Sequence, residues 1–283
     1  MNKANENKTW TIGGDLKVNR FGYGSMRITG KGIWGEPENE EEAIRVLQRA
    51  VALGVDFIDT ADSYGPFVAE NLIAKALYPY PSGLVIATKG GFERPGPGNW
   101  VINADPKHLK KALEGSLKRL KLDQIDLYQL HRPDPKVPFD ESVGFLKMAQ
   151  EQGLIRHIGL SEVNNENINA ARKQVNIVSL QNKYSLDHPV WEPELKYCIA
   201  NDIAFIPWNP ISAGKLNPNE TVKRIALKYN VSDQQVILKW LFNYSGNILL
   251  IPGTSSVSHL EENMRAREIS FSQEDFDAIT QSR

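Results

Sequence analysis

The segment FIDTADSYG, residues 57–65, decides the fold, because an apolar run there leads directly into polar residues. Three further segments repeat this design: VIATKGG (85–91), LYQLHRPD (127–134) and HIGLSEV (157–163). The polar residues that end the first three apolar runs are Asp59, Tyr64, Lys89 and His131. In a (β/α)8 barrel all such strand ends meet at the carboxyl-terminal face. The pattern therefore predicts that the four side chains share one site.

Strand-like and helical runs alternate from about residue 20 to the end of the chain. Eight runs are predicted to be strands: FGYGS (21–25), VDFID (55–59), LVIAT (84–88), QIDLYQL (124–130), IRHIGLS (155–161), NIVSLQ (176–181), IAFIPW (203–208) and NILLIP (247–252). Helices are predicted between them, one of them beginning at Pro66 and the last one at VSHLEENM (257–264). Before the first strand, TWTIGGDLKVNRFG (9–22) predicts a hairpin that turns at Gly13–Gly14.

This order predicts one α/β domain over residues 1–283, a (β/α)8 TIM barrel with an N-terminal β-hairpin, and with residues 1–8 flexible. A doubly wound sheet is the alternative, but no G-x-G-x-x-G follows the first strand. Loops rich in Gly and Pro are predicted on the face that holds the site, near residues 26–40, 91–105 and 209–217.

The composition argues against several functional classes. The 33 basic and 34 acidic residues leave a formal net charge of −1, so nothing indicates a nucleic-acid partner. No apolar run approaches the roughly 20 residues of a membrane span, and the polar start MNKANENK has no apolar signal core. The single Cys198 excludes an intramolecular disulfide and a multi-cysteine metal site, and no metal site is predicted. We expect a cytoplasmic protein, most simply a monomer, without membrane or nucleic-acid partners.

The polar residues of the predicted site suit proton transfer. A tyrosine has an ordinary pKa of about 10. A cation such as Lys89 favours the phenolate, which predicts a lowered pKa for Tyr64, and Asp59 keeps that lysine charged. Tyr64 is then a general acid for a carbonyl oxygen receiving a hydride, and His131 hydrogen-bonds the same oxygen. Each residue alone also has a structural explanation, such as a buried Asp–Lys pair, but their joint placement favours a site.

These motifs resemble those of the aldo-keto reductases over nearly the whole chain. The resemblance rests on FIDTADSYG, the Lys in ATKGG, the His in LYQLHRPD, the strand HIGLSEV, the Gln in SLQNKYS, and IPGTSSVSHLEEN. It implies an NADPH-dependent reductase of small aldehydes or ketones, with Asp59, Tyr64, Lys89 and His131 as the catalytic residues. The segments ENLIAKALYPY and ILLIPGTSSVSHLEENM most resemble the bacterial pyridoxal-reductase-like branch, which makes pyridoxal-like carbonyls candidate substrates.

The resemblance also implies a cofactor site without a Rossmann fold. Ser161 and Gln181 are implied to bind the nicotinamide carboxamide, and Trp208 to stack on the nicotinamide ring. The turn before the last predicted helix is implied to hold the 2′-phosphate, although its sequence also suits an ordinary helix cap. The full implied set is Gly24, Ser25, Met26, Asp59, Ser161, Glu162, Gln181, Trp208, Asn209, Pro210, Ile211, Gly214, Lys215, Gly253, Thr254, Ser255, Ser256, His259, Glu262 and Asn263.

Two features depart from the family's pattern. Gly253 and His259 stand where many members have a Lys and an Arg, so NADH is not excluded as the cofactor. Glu162 stands where an Asn usually follows the serine. Candidate residues for the substrate pocket come from the loops of the same face: Trp34, Phe67, Phe92, Trp100 and Arg132.

Two other functions fit parts of the sequence. A cofactor-binding regulatory protein of the same fold, with little turnover, would keep most of the same residues. A barrel aldolase would use Lys89 as a Schiff-base amine, which requires a neutral lysine, whereas Asp59 favours the charged form. The sequence favours the carbonyl reductase over both.

Overall fold

Two antiparallel hairpins and one curled parallel sheet form the β structure of the computed structural model, which describes residues 8–211 and 218–283. The first hairpin pairs β1 (Thr9–Ile12) with β2 (Leu16–Asn19). The parallel sheet begins with β3 (Tyr23–Gly24), β4 (Phe57–Asp59) and β5 (Val85–Gly90). The second hairpin pairs β6 (Phe92–Gly96) with β7 (Asn99–Ile102). The sheet then continues with β8 (Ile125–Leu130), β9 (Ile155–Ser161), β10 (Ile177–Gln181) and β11 (Ala204–Phe205), hydrogen-bonded in chain order.

The eighth predicted strand, residues 247–252, closes the barrel through separate parallel bridges rather than as one continuous strand. Ile248 pairs with Phe205 of β11, and Leu250 pairs with Phe21, just before β3. The two edges of the sheet are therefore joined. The predicted (β/α)8 barrel with an N-terminal hairpin is confirmed, whereas the predicted flexibility of residues 1–8 falls almost wholly outside the described residues.

Helices surround the barrel: α1 (Glu40–Ala52), α2 (Val68–Leu77), α3 (Pro106–Leu120), α4 (Phe139–Glu151), α5 (Asn165–Arg172), α6 (Glu192–Ala200), α7 (Glu220–Tyr229), α8 (Asp233–Tyr244), α9 (Val257–Arg265) and α10 (Gln273–Gln281). Side-chain oxygens cap the first turn of six of them, at Asn39, Asp105, Asn164, Asn219, Ser232 and Ser272. Such caps satisfy N–H groups that have no partner within the helix. Within residues 8–211 and 218–283, no helix combines the length and apolar character that crossing a bilayer requires.

Three local predictions differ from the structure. Helix α2 begins at Val68 rather than at Pro66, because Phe67 has a φ of 74° that helical backbone does not allow. The helix that contains VSHLEENM is not the last one, because α10 follows it after the cap at Ser272. The loop predicted near residues 91–105 contains the hairpin β6–β7.

The side chains that face the inside of the barrel are apolar along the strands and polar at the carboxyl ends of the strands. Phe57, Ala87 and Leu127 pack in one buried cluster with Ile12 and Leu16 of the first hairpin. Side chains two or four positions apart on a strand lie on the same face. The interior face of three strands therefore ends in the predicted site residues Asp59, Lys89 and His131.

Candidate active site

Asp59, Lys89 and Tyr64 form a buried group at the carboxyl end of the barrel. Lys89 Nζ donates hydrogen bonds to Asp59 Oδ2 at 2.7 Å, to the Thr60 carbonyl oxygen at 2.7 Å and to the Tyr64 hydroxyl oxygen at 3.4 Å. The side chains of Lys89 and Asp59 are 0% and 3% exposed. A buried charge is tolerated only when it is paired and hydrogen-bonded. This geometry is consistent with the prediction that Asp59 keeps Lys89 charged.

The turn after β4 brings the Tyr64 hydroxyl over Lys89. The Tyr64 N–H donates to the Ala61 carbonyl oxygen at 3.2 Å, which closes the turn. Gly65 follows with a φ of 101°, in the region that favours glycine. A Cβ at this position would lie 2.4 Å from Val68 Cβ, at the start of α2. Gly65 therefore allows the turn that places the Tyr64 hydroxyl beside Lys89.

Burial and Lys89 act on the pKa of Tyr64 in opposite directions. Burial raises the pKa of Tyr64, the Lys89 ammonium lowers it, and Asp59 raises it further, so the net shift is upward. The lowered pKa predicted from the sequence is therefore wrong, because the desolvation of a phenolate outweighs the neighbouring cation. For Lys89, burial lowers the pKa, but Asp59 and Tyr64 more than offset it and the net shift is upward. At neutral pH the site holds a protonated phenol beside an ammonium.

His131 faces Tyr64 across the same site. Its ring centroid lies 6.0 Å from that of Tyr64, and its Nδ1 lies 3.4 Å from Ser63 Oγ. Burial, together with the cations Lys89 and Arg132, lowers the pKa of His131 well below its usual value. The imidazole is therefore neutral at neutral pH and carries one ring N–H. The Tyr64 O–H and this N–H are two donors that can meet at one substrate oxygen.

A cavity of about 390 Å³ opens over these residues. Its lining contains fifteen of the residues predicted from the sequence: Gly24, Met26, Asp59, Tyr64, Phe92, Trp100, His131, Arg132, Ser161, Gln181, Trp208, Asn209, Pro210, Ile211 and Gly253. It also contains four that the sequence analysis did not single out: Arg27, Ile33, Ile251 and Pro252. Ile251 and Pro252 end the eighth predicted strand, so the rule that strand ends meet at the site could have identified them. Arg27 and Ile33 lie in the loop near residues 26–40, which was predicted on the face of the site, although nothing in the sequence singled out these two residues within it.

The hairpin β6–β7 forms an aromatic wall of the cavity. The Phe92 ring packs edge-on against His131 at 4.7 Å and against Trp100 at 5.3 Å between centroids. The Arg94 guanidinium lies 3.6 Å from the Trp100 ring centroid and donates to the Ser63 carbonyl oxygen at 2.7 Å. The hairpin thus connects the wall to the turn that carries Tyr64.

Some predicted residues lie outside the cavity lining. Trp34 lies behind Arg94, with its ring centroid 5.5 Å from the guanidinium. Phe67 is 46% exposed and packs under Arg119. The loop residues Gly214 and Lys215, which belong to the implied cofactor-binding set, fall outside the described residues.

Ser161 and Gln181, paired neighbours on β9 and β10, present complementary groups to the cavity. Ser161 Oγ accepts a hydrogen bond from Arg132 Nη1 at 3.0 Å, so its own O–H is left to donate. Gln181 Nε2 donates to Asp59 Oδ1 at 2.8 Å, which leaves Gln181 Oε1 to accept. A donor beside an acceptor matches the C=O and NH₂ of a primary carboxamide.

The segment after β3 adds a hydroxyl and a cation to the same region. The Ser25 Oγ is buried and has no hydrogen-bond partner in the described part of the chain. Arg27 lines the cavity, and its Cγ lies 3.8 Å from where a Cβ on Gly253 would stand. Across residues 8–211 and 218–283, no carboxylate lies within ion-pair distance of Arg27. An unpartnered hydroxyl and an unpaired cation fit a polar, anionic ligand.

In the turn before α9, side-chain oxygens of the protein accept hydrogen bonds from the backbone N–H groups. Thr254 Oγ1 accepts the Ser256 N–H at 3.2 Å, and Glu42 Oε1, from α1, accepts the Val257 N–H at 3.1 Å. The hydrogen bond from Val257 lowers the pKa of Glu42. In the turn implied to hold the 2′-phosphate and at the start of the helix after it, two backbone N–H groups thus already have partners. Six residues of the implied cofactor-binding set lie along this turn and helix rather than in the cavity lining: Thr254, Ser255, Ser256, His259, Glu262 and Asn263.

Proteins of known sequence or structure are similar to this chain over most of its length. The model of the Aldo/keto reductase family matches residues 20–283. An uncharacterized oxidoreductase of Schizosaccharomyces pombe is 47% identical over 264 residues, which cover 93% of this chain and 86% of that protein. Pyridoxine 4-dehydrogenase of Escherichia coli (strain K12) is 40% identical over 273 residues, covering 94% and 95%. An aldo-keto reductase from Klebsiella pneumoniae, solved in complex with NADPH, has a TM-score of 0.83 at 24% identity, covering 97% and 94%.

Proposed function

This chain belongs to the aldo/keto reductase family, and we propose that it reduces a small aldehyde or ketone to the alcohol with NADPH, with Tyr64 as the general acid. The observation that carries the proposal is the buried Tyr64–Lys89–Asp59 group, which faces the same cavity as His131. These are the four residues that the sequence predicted to share one site. NADPH, when bound, supplies the hydride that the carbonyl carbon receives.

Each residue of the group has a separate part in proton transfer. Tyr64 donates its O–H proton to the substrate oxygen as that oxygen gains charge. Lys89 stabilises the phenolate that remains, and Asp59 keeps Lys89 protonated inside a buried site. His131, neutral, donates its ring N–H to the substrate oxygen and so fixes the direction of the carbonyl.

The polar lining of the cavity suits a nicotinamide cofactor. In this proposal the O–H of Ser161 donates to the carboxamide oxygen, and Gln181 Oε1 accepts from its NH₂ group. Trp208 provides an aromatic wall for the nicotinamide ring. Ser25, which lies buried between the lining residues Gly24 and Met26, provides an O–H for the phosphates, and Arg27 provides a cation for the 2′-phosphate. The NADPH complex of the Klebsiella pneumoniae protein, which has the same fold, supports this choice of cofactor.

The substrate wall suits a planar aromatic aldehyde. Phe92 and Trp100 offer two aromatic rings, and the Arg132 guanidinium lies 5.8 Å from the Phe92 ring centroid. A ring that carries oxygen substituents can pack on the aromatic wall while those oxygens face the guanidinium. The 40% identity to pyridoxine 4-dehydrogenase supports a pyridoxal-like substrate.

Wild-type protein with NADPH is expected to reduce pyridoxal with a kcat/KM at least about tenfold above that for an unbranched aliphatic aldehyde, because one good pocket contact is worth about 1–3 kcal/mol. The measurement is NADPH consumption across a panel of pyridoxal, benzaldehyde and hexanal. Equal rates for pyridoxal and hexanal would contradict the substrate class. No consumption with any carbonyl would favour the regulatory alternative.

Arg27→Gln is expected to raise the Kd for NADPH about tenfold or more and to leave the Kd for NADH nearly unchanged. Arg27 lies beside Gly253, where the family's usual cation is missing, and a hydrogen bond to a charged group contributes about 1.5–3 kcal/mol. Equilibrium titration with both cofactors measures the effect, with Lys31→Gln, an exposed lysine outside the cavity lining, as the matched control. Equal losses for both cofactors would assign Arg27 to the pyrophosphate instead of the 2′-phosphate.

A further inference from the structure

Glu162 has a backbone conformation that is unfavourable for glutamate. It directly follows Ser161 at the end of β9, with a φ of 54°. This left-handed region suits Gly, Asn and Asp but is uncommon for other residues. The Glu162 N–H is held there by the Gln181 carbonyl oxygen at 3.1 Å and by Asn182 Oδ1 at 2.7 Å. A glutamate at such a position suggests that its side chain has a use.

The Glu162 carboxylate joins the segments that follow three neighbouring strands. Its Oε1 accepts the Lys183 N–H at 2.6 Å and the Trp208 Nε1–H at 2.7 Å. Both distances are at the short end of the range for N–H···O hydrogen bonds. Lys183 and Trp208 are also paired with each other, and the Trp208 N–H donates to the Asn182 carbonyl oxygen at 3.1 Å. One carboxylate oxygen therefore connects the ends of β9, β10 and β11.

Trp208 is the side chain whose orientation this hydrogen bond determines. It lines the cavity, and the Arg132 guanidinium lies 5.7 Å from its ring centroid. An indole side chain has two torsions, each with a few preferred values. With the backbone paired to Lys183 and the ring N–H bound to Glu162, both torsions are restrained.

We propose that Glu162 is a positioning residue that holds the Trp208 indole in the orientation in which it packs against the nicotinamide ring. The inference rests on the proposed function in taking NADPH as the ligand. It assigns Glu162 a role distinct from carboxamide binding, for which Ser161 and Gln181 already provide a donor and an acceptor. The restraint exists before any ligand binds, so it reduces the ordering that binding would otherwise require.

NMR of the free protein tests the Glu162–Trp208 contact without any ligand. The Trp208 indole N–H resonance, identified by its absence in Trp208→Phe, is expected to lie downfield and to exchange slowly with water. In Glu162→Ala we expect it to move upfield and to exchange faster, whereas Glu162→Gln, which keeps an acceptor oxygen, should lie between the two. An indole resonance that is unchanged in Glu162→Ala would overturn the proposal.

A double-mutant cycle on NADPH affinity tests whether the contact matters for binding. Glu162→Ala and Trp208→Phe are each expected to raise the Kd about tenfold, and the double variant also about tenfold, because both remove the same hydrogen bond. Glu162→Gln should stay within about threefold of wild type, and Glu166→Ala, an exposed glutamate of α5, should change nothing. Thermal unfolding of each variant shows whether the fold is retained.

Three outcomes of the cycle overturn the proposal in different ways. Additive losses, near a hundredfold in the double variant, would show that Glu162 acts independently of the Trp208 N–H. A loss in Glu162→Gln as large as in Glu162→Ala would show that the charge of Glu162, rather than an acceptor oxygen for the Trp208 N–H, is what matters. Failure of the wild type to bind NADPH would overturn the proposed function as well, and the NMR result on the free protein separates that case from the others.

Discussion

Replacing Tyr64 with Phe is expected to lower kcat for carbonyl reduction by at least about 10²-fold, while the Kd for NADPH stays within about twofold of wild type. The substitution keeps the ring that fills the site and removes only the hydroxyl, whose oxygen lies 3.4 Å from Lys89 Nζ. A positioned general acid contributes about 10²–10⁴-fold to the rate. Single-turnover rates with NADPH and pyridoxal measure the effect on the chemical step.

Tyr80→Phe is the matched control, because it removes a tyrosine hydroxyl that binds the Leu120 carbonyl oxygen at 2.7 Å and that lies outside the cavity lining. Its kcat should equal that of the wild type. An unchanged kcat in Tyr64→Phe would remove Tyr64 from the proposed role, whatever the control shows.

The pH dependence of kcat/KM in the wild type tests whether the transferred proton comes from the Tyr64 hydroxyl. Only the protonated phenol donates, so reduction is retained below the pKa of Tyr64 and lost as the pH rises through it. Burial raises that pKa above its ordinary value of about 10, so kcat/KM should be level from about pH 7 to about pH 10. His131 has its pKa lowered well below the usual value and therefore stays neutral over this range. A fall centred near pH 8 that disappears in Tyr64→Phe would contradict the raised pKa.

The strand ends are the part of the site that the sequence predicts well, because the rule that places them is local. Asp59 comes two residues after the buried Phe57, and Lys89 comes two after Ala87, so period-two alternation places both polar groups inside the barrel. No contact between distant segments is needed for this inference. The barrel itself follows from the alternation of strands and helices, and its closure by residues 247–252 agrees with the predicted count of eight.

Features that depend on tertiary contacts could not be predicted from such local rules. The carboxylate of Glu42 caps α9 from 215 residues away in the chain, which no local pattern indicates. The sign of the pKa shift of Tyr64 depends on how deeply the phenol is buried, and a motif does not contain that depth. The hairpin that carries Phe92 and Trp100 did have a local signal, since the turn-forming pair Pro97–Gly98 lies between two short runs with strand-forming residues. Its place against His131 required the folded barrel.

Lys89→Met is expected to destabilise the protein by about 3–5 kcal/mol, because it leaves the buried Asp59 carboxylate without its cation. Lys89 also donates to the Thr60 carbonyl oxygen at 2.7 Å, and that acceptor loses its partner as well. Urea unfolding of the wild type and the variant measures the difference in free energy of unfolding. Reduction of pyridoxal should fall by at least about 10²-fold in the fraction that remains folded, since the Tyr64 phenolate is no longer stabilised.

The double variant Asp59→Asn/Lys89→Met separates the two consequences. With neither charge present, no buried carboxylate is left unpaired, and the amide oxygen of the introduced asparagine can still accept the Gln181 amide N–H that Asp59 accepts at 2.8 Å. Stability should therefore return to within about 1–2 kcal/mol of wild type, because replacing both partners of a buried pair is far less costly than removing one. Activity should not return, because the phenol still lacks its cation. A Lys89→Met variant that is destabilised by less than about 1 kcal/mol would mean that Asp59 is neutral or solvated in the folded protein, and the charge assignment of the site would be wrong.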